Sequence, residues 1–299
     1  MKKRVTAILM IAMAAALLCA CTTPTVIEPE GLPEPTAAPI VTEAPAPTEE
    51  PAQKAEPVEL VVFAAASMTE AMNQIAELYK EAAPHVTLVF NFDSSGTLKT
   101  QIEEGADCDI FISAGKKQMD QLDISADAAV NTDGLDFVLQ GSRFNIVENL
   151  LVMIVPEGAE KDISSFEDAL SDKVDLIALG NSDVPAGQYA QEVYTYLGLW
   201  DQLVSLNKIS YGTNVKEVLE LVKSASVDCG VVYSTDAATA TGVTVVAYAP
   251  AGSHKPIVYP AAIMNATAYP AEAETFMAFL RSEVCAQVFR SIGFGIPAN

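Results

Sequence analysis

From Val58 onward, short apolar runs of strand length alternate with segments whose apolar residues recur at helical spacing, and this alternation narrows the fold more than any other property of the chain. Val58-Glu59-Leu60-Val61-Val62-Phe63 reads as a buried strand, followed by a helix over 68–83 with Ala71, Met72, Ile75, Leu78 and Tyr79 on one side. Strands are expected at 87–90 and 109–113, around a helix at 97–104. A strong apolar run at 149–155 is closed by Pro156 and Gly158, and a capped helix starts at Ser165. Strands at 176–179, 228–233 and 243–247 then intersperse with helices at 186–197 and 215–225. An apolar run at 259–264 and helices at 271–281 and 283–290 complete the pattern. Such alternation predicts an α/β fold with mainly parallel sheets covered on both faces. Ligands of such folds sit beyond the carboxyl ends of the strands, near helix N-termini.

The segment before Val58 is of another kind. Met1-Lys2-Lys3-Arg4 is basic, the following stretch is apolar, and it ends in Leu18-Cys19-Ala20-Cys21. This reads as a lipoprotein signal peptide over 1–20, too short for a comfortable spanning helix, with cleavage leaving an acylated Cys21. An uncleaved anchor helix is the alternative, and both readings put the folded part outside the cytoplasm. Residues 22–57 carry nine prolines and seven glutamates and almost no large apolar side chains. Together with Cys21 they read as a tether (21–57) whose extended reach is on the order of 100 Å.

The formal net charge of −22 argues against nucleic acid and anionic lipid as partners. It also repels small anions at long range, so any anion site has to work through short-range donors in a local cleft. Cys108, Cys229 and Cys285 are too few and too far apart for a disulfide scaffold, although a single bridge is open. The two histidines, His85 and His254, have no metal-ligand spacing, and no GxSxG, HExxH or Walker A pattern occurs. Neither an enzyme nor a cofactor is therefore expected. Tyr189, Tyr194, Tyr196 and Trp200 suit core packing better than a sugar platform.

Five segments share one layout, a small or hydroxyl residue that follows a strand or loop and opens a helix. They are Ala64-Ala65-Ala66-Ser67-Met68-Thr69-Glu70, Phe92-Asp93-Ser94-Ser95-Gly96-Thr97, Asp183-Val184-Pro185-Ala186-Gly187, Gly212-Thr213-Asn214-Val215 and Tyr233-Ser234-Thr235-Asp236. Ser67 and Glu70 have capping-box spacing. A helix N-terminus offers unpaired N–H donors and partial positive charge, so several converging make an oxyanion site without Lys or Arg. Taken singly, each segment reads first as an ordinary cap, so capping chemistry alone does not select these five.

In the same order, AAASMTEAM, FDSSGTLKTQIEEGADCDIFISA, VPAGQYA, VYSTDA and YPAAIM…FGIP resemble the periplasmic molybdate-binding proteins of ABC importers across residues 58–299. The resemblance implies a two-lobed periplasmic-binding-protein-like fold, with lobe 1 over 58–147 and 261–299 and lobe 2 over 148–260. Chain crossings are expected near 145–150 and 258–262. It implies a monomer that closes on molybdate or tungstate and delivers it to a membrane permease. Its ligand set, carried over by position, is the hydroxyl and amide of Ser67 and Ser95, the amides of Ala186 and Val215, and the phenol of Tyr233. Asp93 departs from the pattern. It is read as an outward-facing helix-start charge, but a carboxylate aimed inward would accept a proton from hydrogen phosphate. Sulfate and phosphate therefore stay open as alternative ligands.

Overall fold

The computed structural model describes residues 56–298; the expected signal peptide, Cys21 and all but the end of the tether lie outside the described residues. The first strand, β1 (Val58–Ala65), is buried along nearly its whole length and is sandwiched between β2 (Val86–Asp93) and β3 (Ile110–Ile112), both parallel to it. Helix α1 (Thr69–Ala82) buries Ala71, Met72, Ile75 and Tyr79, and α2 (Ser95–Glu103) buries Leu98 and Ile102. A short α3 (Lys116–Asp120) follows β3.

The chain then passes from one sheet to the other with a single residue between strands. β4 (Phe144–Asn149) pairs with β10 (Ile257–Ile263) in the first sheet, and after Leu150, β5 (Leu151–Pro156) pairs with β8 (Cys229–Tyr233) in the second. The first sheet has the order β2-β1-β3-β10-β4. The second contains β6 (Ile177–Gly180), β7 (Ile209–Gly212) and β9 (Val243–Tyr248) and has the order β7-β6-β8-β5-β9. Each sheet is mixed: four of its strands run in one direction and one, β10 in the first sheet and β5 in the second, runs against them. The three strands that pair parallel carry the helical turns, and the strands next to the crossings pair antiparallel.

The second sheet is covered by α4 (Pro185–Tyr196), α5 (Trp200–Ser205), α6 (Val215–Lys223) and α7 (Ser234–Thr239). In α6, Val215, Val218, Leu219 and Val222 form one buried stripe, and the Asn214 side chain caps the helix by accepting from Glu217 N–H. The C-terminal helices α8 (Pro270–Leu280) and α9 (Glu283–Ile292) return to the first sheet, where Phe276 meets Tyr79 with ring centroids 4.8 Å apart. The first lobe is thus assembled from both ends of the described chain.

The strand bounds move the expected lobe boundaries. β4 holds its pairing to Asn149, and the return crossing occupies residues 249–256, between β9 and β10. Position 260/261 lies inside β10, which runs on through a register shift between Tyr259 and Pro260. Cys108, Cys229 and Cys285 are all buried free thiols, so no bridge joins them.

Candidate functional site

Every parallel strand of both sheets ends at the same cleft. β1 delivers Ala65, Ala66 and Ser67; β2 delivers Asp93, Ser94 and Ser95; Ala114 follows β3. From the other lobe come Val184, Pro185 and Ala186 after β6, Val215 after β7, and Tyr233 at the end of β8. These residues line one small cavity, and all five positions expected to bind, 67, 95, 186, 215 and 233, are among them. The cavity is small: the empty space between its walls, part of it open to solvent, is about 190 Å³, which suits a guest of a few heavy atoms.

No lysine or arginine lines the cavity. Besides the Asp93 carboxylate, its polar groups are hydroxyls and the first-turn N–H groups of Ser67, Ser95, Ala186 and Val215, which donate to no backbone carbonyl beyond their own elements among the described residues. The Ser95 side chain is fully buried; its Oγ accepts the Ala114 N–H at 2.9 Å. Ser67, 3 % exposed, is bonded through Oγ to the Tyr259 hydroxyl at 2.9 Å. Tyr233 donates across the cleft to the Ala114 carbonyl at 3.2 Å, and burial holds its phenol well above the ordinary tyrosine pKa. In this closed arrangement its hydroxyl joins the lobes.

Asp93 is not an outward charge. It lines the cavity, and its Oδ1 accepts from Ser94 N–H at 2.7 Å and from Asn214 Nδ2, in the opposite lobe, at 3.3 Å. Neither is Ser67 with Glu70 a capping box, because no side-chain cap is made at the start of this helical segment. Ser67 is held by Tyr259, and both Glu70 oxygens take the Lys216 ammonium at 2.9 Å from the other lobe. Lys216 also lies 2.9 Å from the fully buried Asp236. Burial alone would depress the Lys216 pKa, but Asp236 and Glu70 carry it above the ordinary lysine value; burial lifts the Asp236 carboxyl against the pull of Lys216.

Sequence reasoning passed over Ala114, Tyr259, Asn149 and the Lys216–Glu70 pair. Ala114 follows a strand end exactly as Ser67 and Ser95 do, so the rule that found those residues also reaches it. The others act through partners far away in sequence, where one-dimensional spacing carries no signal. Among the described residues no cluster of His, Cys, Asp and Glu could hold a metal ion. A broader hollow on the first lobe is lined by Asp123, Gln140 and Arg143, but these groups are bonded to one another.

Residues 60–295 match the family described as bacterial extracellular solute-binding protein. The chain belongs to this family. Its relatives include a candidate ABC-transporter substrate-binding lipoprotein of Bacillus subtilis, YvgL, 38% identical over 79% of this chain and 86% of the relative. The molybdate-binding protein ModA of Haemophilus influenzae is 37% identical over 81% of this chain and 91% of its own length. Among solved structures, the periplasmic molybdate-binding protein of Azotobacter vinelandii superposes with a TM-score of 0.69 at 26% identity, covering 80% of this chain and all of the other. Solute-binding family members are transport components rather than enzymes, and the two-lobed α/β fold is that of periplasmic binding proteins.

Proposed function

We propose that this solute-binding protein captures molybdate or tungstate between its lobes and hands it to the permease of an ABC importer. The observation that carries the reading is the small cavity in which neutral donors from two lobes converge without a basic side chain. Serine hydroxyls and helix-start amides suit a tetrahedral dianion, and each charge-assisted hydrogen bond contributes about 1.5–3 kcal/mol net. Ser67 and Ser95 supply hydroxyl and amide, Ala186 and Val215 supply amides, and Tyr233 closes the cage from the second lobe. Ligand contacts to both halves favour the shut form, which is how binding energy becomes a signal for the permease.

In the same reading the chain works as a monomer outside the cytoplasm, anchored to the membrane through a lipid on Cys21 and lifted from it by the tether. A binding protein for hydrogen phosphate is the second reading, favoured by one observation, the Asp93 carboxylate in the cavity wall. Sulfate shares the donor-only demand of molybdate and is separated from it by size.

A competition titration among molybdate, tungstate, sulfate and phosphate tests the proposal. Molybdate and tungstate are expected to bind most tightly, and Ser67→Ala and Ser95→Ala each to weaken them by about 1–3 kcal/mol. A preference for phosphate, or calorimetric affinities unchanged in both alanine variants, would refute the assignment.

A further inference from the structure

Asn149 is the last residue of β4, at the point where the chain leaves the first sheet, and it is 6 % exposed. Its Oδ1 accepts the Leu150 N–H at 2.8 Å and the Ser234 hydroxyl at 3.1 Å. Its Nδ2 donates to Thr235 Oγ1 at 2.9 Å and to the Tyr259 hydroxyl oxygen at 3.2 Å. A backbone N–H can only donate, so the atom facing Leu150 has to be the oxygen, and the amide cannot be turned around. Tyr259 therefore receives a hydrogen bond from Asn149 and has its own proton to give.

Ser67 Oγ, 2.9 Å away, is placed to take that proton. Tyr259 is buried and its phenol is held well above the ordinary tyrosine pKa, first by burial, so it keeps the proton it donates. Once Ser67 has accepted from Tyr259, its own proton has no protein acceptor among the described residues and turns to whatever occupies the cavity. Ser95 is set the same way by a shorter route, because its Oγ accepts from the donor-only N–H of Ala114. Both serines thus meet the ligand with a proton rather than a lone pair.

We propose that Asn149, through Tyr259, fixes Ser67 as a donor, so that the site selects tetrahedral anions by protonation state and rejects those that carry a proton of their own. This rests on the oxyanion reading above and adds to it a mechanism of discrimination seated at the hinge. Tyr259 and Asn149 are positioning residues; neither lines the cavity. The Asp93 carboxylate opposes the selection, with Oδ1 already engaged by Ser94 and Asn214.

Sulfate and hydrogen phosphate decide the matter, since in mildly alkaline buffer they match in size and charge and differ by one proton. Their affinities are measured by displacement of molybdate from the wild type, Tyr259→Phe and Asn149→Asp, so that weak phosphate binding is still read. In Tyr259→Phe the Ser67 hydroxyl is released to accept as well as donate, and the sulfate-to-phosphate ratio falls about tenfold from its wild-type value. Asn149→Asp keeps the shape but turns the Tyr259 proton away from Ser67. The added charge weakens both dianions alike, while the ratio falls in the same direction; this variant decides the question if the phenylalanine variant does not fold. Asp93 is constant throughout and cancels from the comparison. Ratios unmoved in the variants, with wild-type binding intact, overturn the relay and leave the oxyanion reading standing. A wild type that binds none of these anions overturns both.

Discussion

The amide of Gly96, in the first turn of α2, donates across the cleft to the carbonyl of Asp183 at 2.9 Å. The two lobes are at backbone contact there. A Cβ built at position 96 would lie 2.7 Å from the Cα and Cβ of Asp183 and closer still to its carbonyl oxygen.

Gly96→Ala should therefore obstruct closure while improving the helix that carries it, since alanine is favoured over glycine in a helix by roughly 0.8–1 kcal/mol. The ligand-free variant is expected to melt at or above the wild-type temperature. Its molybdate affinity should fall about tenfold or more, equivalent to about 1.4 kcal/mol, with a smaller ligand-induced rise in Tm. Wild-type affinity in this variant would mean that the lobes do not meet at Gly96 when the ligand is held.

Glu70→Gln removes one strap between the lobes and leaves Lys216 with Asp236 inside the second. Glu70 is 38% exposed in its side chain, so the pair contributes no more than about 1 kcal/mol. Ligand release should accelerate up to about fivefold, less so at high salt, with the unfolding midpoint of the ligand-free protein unchanged. Stopped-flow displacement measures the first effect and thermal unfolding the second. Equal release rates in variant and wild type would remove the strap from the account.

Asp123 gives a pH dependence of known sign. Burial opposes its ionisation, but hydrogen bonds from the Ser125 hydroxyl and N–H, from Arg143 and from Gln140 outweigh it and hold the carboxyl below the ordinary aspartate value of 3.8. A carboxylate depressed by folding contributes stability above its unfolded pKa and loses it as pH falls through the lower folded value. Asp123→Asn should cost about 1–3 kcal/mol at neutral pH. Its deficit against the wild type should shrink below about pH 4. Urea unfolding across that range checks both, and a constant deficit would contradict the assignment.

Much of this architecture can be read from residue order alone. The apolar run that starts at Val58, the stripe Val215, Val218, Leu219 and Val222, and the helix-opening residues Ser95 and Ala186 each follow from local periodicity or capping chemistry. What escapes is whatever depends on the second sheet. Phe144 to Val155 contains no glycine or proline, so the change of sheet at Leu150 leaves no mark on the pattern. Ser67 and Glu70 have the spacing of a local cap, but Tyr259 and Lys216, far away in sequence, offer their side chains better partners. Asp93 looked like a helix-start charge for the same reason, before Asn214 came within reach across the cleft.

The single residue between β4 and β5 also dictates how the protein can let go. Sliding one sheet past the other would tear Asn149 from Ile257 or Leu151 from Tyr233, whereas swivelling about the torsions of Leu150 breaks neither pair. Release is then a matter of torque, and twisting the lobes apart needs no force directed at whatever lies between them.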